Sequence, residues 1–234
     1  WFESGSMPYA SVHYPFENKK WFETHFPADF ICEGQDQTRG WFYTLHVLAT
    51  GLFEKPAFKD VAVTGMVLAE DGKKMSKKLK NYPDPWHVLE TYGADSLRYY
   101  MLSSTVVEGE SPSFSERDLQ AVVRGFLNLL WNVKTFYETY AKDVRVEVTM
   151  PRSAHVLDRW LFARFHQLLA DTTKSMDGYS LAVATRPLRG FVDDLSTWWL
   201  RRSRDRFKSE HEYDRMDALR TLKEVLEEFS KVIA

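Results

Sequence analysis

The spacing of hydrophobic positions along this 234-residue chain changes partway through it. In the first part the apolar runs are short. Ala28-Asp-Phe-Ile-Cys32 and the alternating Val61-Ala-Val-Thr-Gly-Met-Val-Leu68 read as two buried strands. Between them Trp41, Leu45, Leu48 and Leu52 share one helical face and predict a helix over about 38–53. Asp84-Pro85 is a helix start, with Asp as N-cap and Pro at the first helical position, and Gly93 ends that helix. A further short helix is expected over about 94–103, then a linker over 104–113 carrying Gly109 and Pro112. Ser115-Glu-Arg-Asp118 resembles a capping box and opens a helical region. Long helices are expected at about 115–141, 154–177, 180–208 and 214–233. Met150-Pro151 separates the first two, and Pro187 is expected to kink the third or split off its first turn. The expected fold is α/β over residues 1–105 followed by an all-α helical bundle over 106–234.

Composition adds a few bounds. Hydrophobic residues make up 44% and aromatics 15%, enough for a sizeable core, and the formal charge of −2 argues neither for nor against a nucleic-acid partner. Charge is uneven: residues 1–110 carry 11 Lys/Arg against 15 Asp/Glu, residues 111–234 carry 20 against 18. The single cysteine, Cys32, excludes an intrachain disulfide and a Cys-based metal cage, and it reads as a small core residue. With no secretory signal and no membrane-length apolar run, the simplest compartment is the cytoplasm. The opening Trp1-Phe2-Glu3-Ser4-Gly5-Ser6 lacks an initiator Met and reads as the middle of a longer protein.

Two loops carry candidate chemistry. Asp71-Gly72-Lys73-Lys74-Met75-Ser76-Lys77-Lys78 follows the second expected strand. A cationic loop at a strand end is where an α/β sheet binds ligands, and clustered ammonium groups suit a polyphosphate whose charge changes during reaction. Met75, at the centre of that run, suits a mobile loop that docks through an apolar anchor. The alternative is a solvated basic loop. The second loop, Glu33-Gly34-Gln35-Asp36-Gln37-Thr38-Arg39-Gly40-Trp41, joins a strand end to a helix N-terminus. Gly34 allows close approach of a ligand, Asp36 and Gln37 suit ribose hydroxyls, Glu33 suits an ammonium group and Trp41 could wall an apolar pocket. The alternative is an ordinary capped helix.

In the helical part Arg201, Arg202, Arg204 and Arg206 cluster, with Arg201 and Arg204 on one side and Arg202 and Arg206 on another. They suit phosphate contacts along RNA, or else salt bridges to Asp193, Asp194, Asp205 or Glu210. Of Trp198 and Trp199, one is expected in the core, and the other could stack on a base.

Lys74-Met75-Ser76-Lys77-Lys78 is similar to the Lys-Met-Ser-Lys-Ser motif of class I aminoacyl-tRNA synthetases. Gly34-Gln35-Asp36-Gln37-Thr38-Arg39-Gly40-Trp41 resembles the Gly-x-Asp-Gln-x-Arg-Gly-Trp stretch of the isoleucyl-tRNA synthetases, and Trp1-Phe2-Glu3-Ser4-Gly5 their Trp-Phe-Asp-Ser-Gly. Leu157-Asp158-Arg159-Trp160 and Phe191 through Arg204 resemble the family's anticodon-binding bundle. Two residues depart from the pattern: Lys78 stands for the last Ser, and Glu3 for Asp. The family's His-x-Gly-His motif is absent, since none of the seven histidines has Gly two positions on.

The resemblance implies the second half of a class I catalytic domain plus most of an anticodon-binding domain, inactive alone. It implies a parent enzyme that joins isoleucine to ATP, with Mg²⁺ held by the phosphates, and charges tRNA(Ile). On that reading Lys77, with Lys74 second, stabilises charge on the departing pyrophosphate, and Gly72 lets the loop swing. Trp1 and Trp41 wall the isoleucine pocket, Glu33 contacts the aminoacyl adenylate, and Gly34, Asp36 and Gln37 hold its ribose end. Arg201, Arg202 and Arg204 contact tRNA. The alternatives are a nonenzymatic helical tRNA-binding module or part of a valyl-type enzyme. Half a sheet with an open edge predicts self-association.

Overall fold

The computed structural model describes residues 1–148 and 153–234, and these form two compact units. The first holds residues 1–82 and 104–114, the second residues 83–103 and 115–234. The chain thus enters the helical unit at residue 83, returns to the first at 104 and leaves it again after 114.

In the first unit, α1 (Phe2–Gly5), α2 (Met7–Ala10) and α3 (Lys19–His25) precede β1 (Ala28–Gly34). A 3₁₀ turn, Gln35–Arg39, leads into α4 (Trp41–Phe53), which crosses back to β2 (Phe58–Thr64). The strands pair in parallel, Ala28 opposite Phe58 and Gly34 opposite Thr64. A parallel pair needs such a helical crossover. Phe42, Leu45 and Ala49 of α4 bury against Ile31 and Ala57. The buried stripe is therefore displaced from the expected one, and Leu52 is exposed. Tyr14, Phe22, Phe26 and Phe53 form a contiguous aromatic group, with ring centroids 4.2–5.9 Å apart, that seats α3 on the end of α4.

Three expectations in this unit are corrected. The second strand ends at Thr64 and not at Leu68. Gly65 is where it turns, because a Cβ there would collide with the Glu110 carbonyl, and its N–H donates to the Val106 carbonyl. The segment 104–113 is consequently no plain linker. It opens with a 3₁₀ turn, Thr105–Glu108, and pairs with residues 65–68 through Leu68 N–H to Pro112 O and Phe114 N–H to Leu68 O. Val106 and Phe114 are buried there. Finally, Cys32 is exposed. Alternation along β1 turns Ile31 inward, so Phe30 and Cys32 face the other side of a two-stranded sheet.

The second unit begins with α5 (Pro85–Tyr92), capped as expected by Asp84, whose carboxylate accepts the Trp86 N–H at 2.9 Å. Next come α6 (Ala94–Ser103) and α7 (Glu116–Val122), the latter capped by Ser115 Oγ on the Asp118 N–H. A π-turn, Val123–Leu127, joins α7 to α8 (Asn128–Ala141). The break expected at Met150-Pro151 lies outside the described residues. Then follow α9 (Val156–Asp177) and α10 (Leu181–Asp193), a π-turn (Asp194–Leu200), α11 (Arg201–Ser203), a 3₁₀ turn (Arg204–Lys208) and α12 (Glu212–Ile233). Pro187 does not split α10. The carbonyl it frees, four residues back, belongs to Val183 on the exposed side, where water can pair with it. Phe126, Val133, Leu161, Phe165, Leu188, Phe191, Leu195, Leu219, Leu222 and Phe229 are among the side chains that fill the core.

Candidate functional site

The Glu33–Gln37 loop leaves the carboxyl end of β1, and the segment that leads to the lysine loop leaves that of β2, the end at which sheets of this type place ligands. Glu33 and Gly34 are the last residues of β1, beside Val63 and Thr64 of β2. Gly34 is close-packed by its own loop, since a Cβ would lie 2.6 Å from Asp36 Oδ1. Glu33 and Asp36 are exposed and Gln37 is half-buried. Gln37 Oε1 accepts the Trp41 N–H at 2.9 Å, so this side chain caps α4. Its amide nitrogen reaches toward Asp36 Oδ2 at 3.4 Å. The sequence suggests a ribose contact for Gln37; in the structure its carboxamide oxygen is already taken by the helix start, and Asp36 keeps the free acceptor capacity.

Trp41 is fixed from both ends: its backbone by Gln37, its indole Nε1–H by the Ser4 carbonyl at 2.9 Å. That bond carries α1 onto the start of α4 and brings Trp1 alongside. The Trp1 ring edge stands 3.3 Å from where a Cβ on Gly40 would be, and Trp1 is 79% exposed. Trp1, Glu33, Gly34, Asp36, Gln37 and Trp41 are thus gathered at one end of β1.

The lysine loop is an ordered turn. Asp71 accepts the Lys73 backbone N–H at 3.1 Å and pairs with its ammonium at 3.1 Å; the backbone bond first and the side chain second hold the Asp71 carboxyl below its ordinary value. Gly72 supplies the positive φ of 77° that this turn needs. Beyond it, Asn81 clamps the loop from within. Its Oδ1 accepts the Ser76 N–H at 2.9 Å and its amide donates to the Lys74 carbonyl at 3.2 Å. Ser76 Oγ accepts the Lys78 N–H. Met75 and Ser76 are half-buried, while Lys74 and Lys77 are exposed and, among the described residues, have no carboxylate within ion-pair range. The asymmetry separates the lysines: Lys73 is neutralised, and Lys74 and Lys77 remain available to an anion. Asn81 carried no signal in the sequence beyond its place in Asn81-Tyr-Pro83, a turn composition.

In the helical unit Arg206 turns inward. It donates to both oxygens of Asp158, at 2.7 and 2.9 Å, and to Asp214 at 2.7 Å, while the Trp199 indole N–H adds a bond to Asp158 at 3.0 Å. Burial opposes the charge on Arg206, but the two carboxylates outweigh it and raise its pKa. The expected Arg202–Arg206 surface side is therefore absent: after α11 the chain tightens into the 3₁₀ turn Arg204–Lys208, which takes residue 206 out of step with residue 202. Arg201, Arg202 and Arg204 remain exposed. Arg202 lies 3.7 Å over the Trp198 ring and Trp160 stands 6.3 Å beyond, while Trp199 is fully buried. Among the described residues, no three His, Cys, Asp or Glu side chains converge on a metal position, and no helix is long and apolar enough to cross a membrane.

Residues 1–113 match the family of tRNA synthetases class I (I, L, M and V), and residues 158–234 match the anticodon-binding domain of tRNA ligase. Over its whole length the chain is 48% identical to the isoleucine–tRNA ligase of Treponema denticola and 50% identical to that of Chlamydia muridarum. It spans 23% of the length of each. Among solved structures, the methionyl-tRNA synthetase of Mycobacterium tuberculosis with methionyl-adenylate gives a TM-score of 0.73 at 23% identity, over 96% of this chain and 44% of that one. The leucyl-tRNA synthetase of Agrobacterium radiobacter K84, in a ternary complex with tRNA, gives 0.69 at 19%, over 97% and 30%. These last two likenesses establish the fold. The chain belongs to the class I aminoacyl-tRNA synthetases, and its own whole length matches 23% of the length of isoleucine–tRNA ligases.

Proposed function

We propose that this chain is the part of an isoleucine–tRNA ligase that carries the second half of its ATP- and adenylate-binding fold and most of its anticodon-binding bundle. One observation carries the reading. The Glu33–Gln37 loop leaves the carboxyl end of β1, and the segment that leads to Lys74–Lys77 leaves that of β2, its parallel partner, in a chain about half identical throughout to such ligases.

In the parent reaction the isoleucine carboxylate attacks the α-phosphorus of ATP, isoleucyl-AMP forms and pyrophosphate departs. The isoleucyl group then passes to tRNA(Ile). Negative charge grows on the departing pyrophosphate, so cations placed there lower the barrier only if they bind the transition state better than the ground state. Lys77 and Lys74 fit that task, having no carboxylate in ion-pair range among the described residues and being carried on a turn that Asn81 and Gly72 shape without burying it. Asp36 offers acceptors to ribose hydroxyls, Glu33 an anion to the substrate ammonium, and Trp1 and Trp41 an apolar wall for the isoleucine side chain. Isoleucine and valine differ by one methylene, the pair that usually illustrates how weakly a hydrophobic pocket alone discriminates. Mg²⁺ on the phosphates would neutralise part of their charge. The described residues offer it no cage, so phosphate and water oxygens would be its ligands. Arg201, Arg202 and Arg204 supply cationic contacts for tRNA phosphates. Phe30 and Cys32 are exposed on the sheet face away from Ile31, and the isolated chain is expected to self-associate there.

The test is calorimetric titration with nonhydrolysable isoleucyl- and valyl-adenylate analogues, of this chain and of the full-length enzyme containing it. Preference of the full-length enzyme for the isoleucyl analogue supports the reading. Preference for the valyl analogue overturns the substrate, and silence toward both overturns the enzymatic reading in favour of a tRNA-binding module.

A further inference from the structure

A second cationic feature of the helical unit lies outside every motif discussed so far. Arg117, Gln120, Ala121, Arg124, Gly125 and Arg189 line an open recess of about 490 Å³. Arg117, Gln120 or Ala121, and Arg124 succeed one another at helical spacing on α7 and the π-turn that follows, so they share a face. Arg189 reaches the same recess from α10. All three arginines are exposed, and among the described residues none has a carboxylate within ion-pair range. Glu116 accepts from the Tyr92 hydroxyl, and no acidic residue is among those that line the recess. Three unneutralised guanidinium groups around one hollow repel each other unless an anion joins them.

One of the three is held in place. The Arg189 guanidinium lies flat on Gly125, and a Cβ at that position would stand 2.5 Å from Nη2 and 3.1 Å from Cζ. Gly125 sits in the π-turn Val123–Leu127, an interruption of the helix that often marks a functional position. Glycine is unfavourable inside a helix, and here its missing side chain makes the notch that orients Arg189.

We propose that Arg117, Arg124 and Arg189 form a binding site for the phosphodiester backbone of tRNA, separate from the Arg201–Arg204 surface. It rests on the proposed function, which supplies tRNA as the partner. Arg189 and Arg201 belong to one continuous helical run, so the two cationic points are roughly 18 Å apart along it, at 1.5 Å per residue. Two such points touch one RNA at separated phosphates and fix its orientation. Neither reads sequence, since backbone contacts position and base contacts specify.

The experiment measures tRNA binding to the full-length enzyme as a function of salt. The wild type is compared with the Arg124→Ala/Arg189→Ala double variant, with Gly125→Ala, and with Arg98→Ala as a control for loss of exposed positive charge elsewhere on the same unit. The double variant is expected to bind on the order of tenfold more weakly, with the log–log salt slope smaller by roughly 1 to 2. Gly125→Ala keeps every charge and improves helix propensity, so it should leave the melting midpoint unchanged or higher while weakening tRNA binding. Arg98→Ala should bind as the wild type does. Unchanged affinity and salt slope in the double variant, with its melting midpoint retained, would overturn the site. Isoleucine-dependent pyrophosphate exchange by the wild type is scored separately, so failure of the enzymatic reading and failure of this site give different patterns.

Discussion

Asp158→Ala should be among the most damaging single substitutions in the helical unit. Asp158 is fully buried and accepts three bonds, two from Arg206 and one from the Trp199 indole. Its removal leaves a buried guanidinium with only Asp214 at its Nε and a fully buried indole N–H with no acceptor. Arg206 cannot escape by losing its proton, because a guanidinium stays charged in proteins. Breaking a buried pair from one side costs about 3–5 kcal/mol. Arg206 is 8% exposed and keeps Asp214, so the lower end applies, and we expect about 3 kcal/mol. The double variant Asp158→Leu/Arg206→Met removes both charges and should cost less than the sum of the two singles by roughly 2 kcal/mol. Urea unfolding followed by tryptophan fluorescence reads both quantities, Trp199 being in the core. A cost below about 1 kcal/mol for Asp158→Ala, together with additive singles, would show that the network does not hold this part of the bundle and would refute the argument.

Other consequences are smaller in scope. In the full-length enzyme Lys77→Ala should lower kcat for isoleucine-dependent pyrophosphate exchange by about 10²–10³ with little change in the KM for isoleucine; a pure KM effect would reassign Lys77 to ground-state binding. Asn81→Ala removes the bonds to Ser76 N–H and the Lys74 carbonyl, so trypsin should cut the loop at Lys77 or Lys78 faster than in the wild type, and equal cutting rates would count against the clamp. Gly65→Ala forces residue 65 away from Glu110 and should cost about 1–3 kcal/mol of stability in denaturant melts. Because the folded Asp71 carboxyl titrates below its ordinary 3.8, its contribution is present above that pH and is lost as pH falls through the lower folded value. An NMR titration should therefore give Asp71 a midpoint under 3.8 that rises toward it in Lys73→Ala.

Much of the fold was legible because it depends on local rules. Asp84-Pro85 and Ser115 cap the helices they were expected to open, and the period of 3.6 after residue 115 marks a bundle. What escaped depends on contacts distant in sequence. The alternation at 61–68 continues past Thr64, yet the strand stops there because Glu110 arrives at Gly65. Helices α1 to α3 have no clear period, since aromatic packing on Phe53 holds α3 and the Ser4–Trp41 bond holds α1. In the candidate site, residue types pointed to Glu33, Asp36, Trp41, Lys74 and Lys77, whereas the capping role of Gln37 and the clamp of Asn81 needed coordinates. Arg206 could not be told from its neighbours, because a helical wheel drawn through residues 201–208 carries no sign of the 3₁₀ turn that takes Arg206 out of step with Arg202.

The return of residues 104–114 to the first unit has a consequence for biosynthesis. The N–H groups of Gly65 and Leu68 find their acceptors on Val106 and Pro112, residues that leave the ribosome only after α5 and α6 have done so. The sheet-bearing unit is therefore unfinished when residue 82 has emerged, and two helices of the other unit must emerge before residues 104–114 can join it. No single cut separates the units. A chain divided at residue 103 would strip the first of its last segment, and one divided at 114 would leave it carrying two orphaned helices, α5 and α6, whose other partners lie downstream. Termination, proteolysis or engineered splitting in this stretch should damage both halves at once, which ties the folding of the lysine loop to the start of the bundle through connectivity alone.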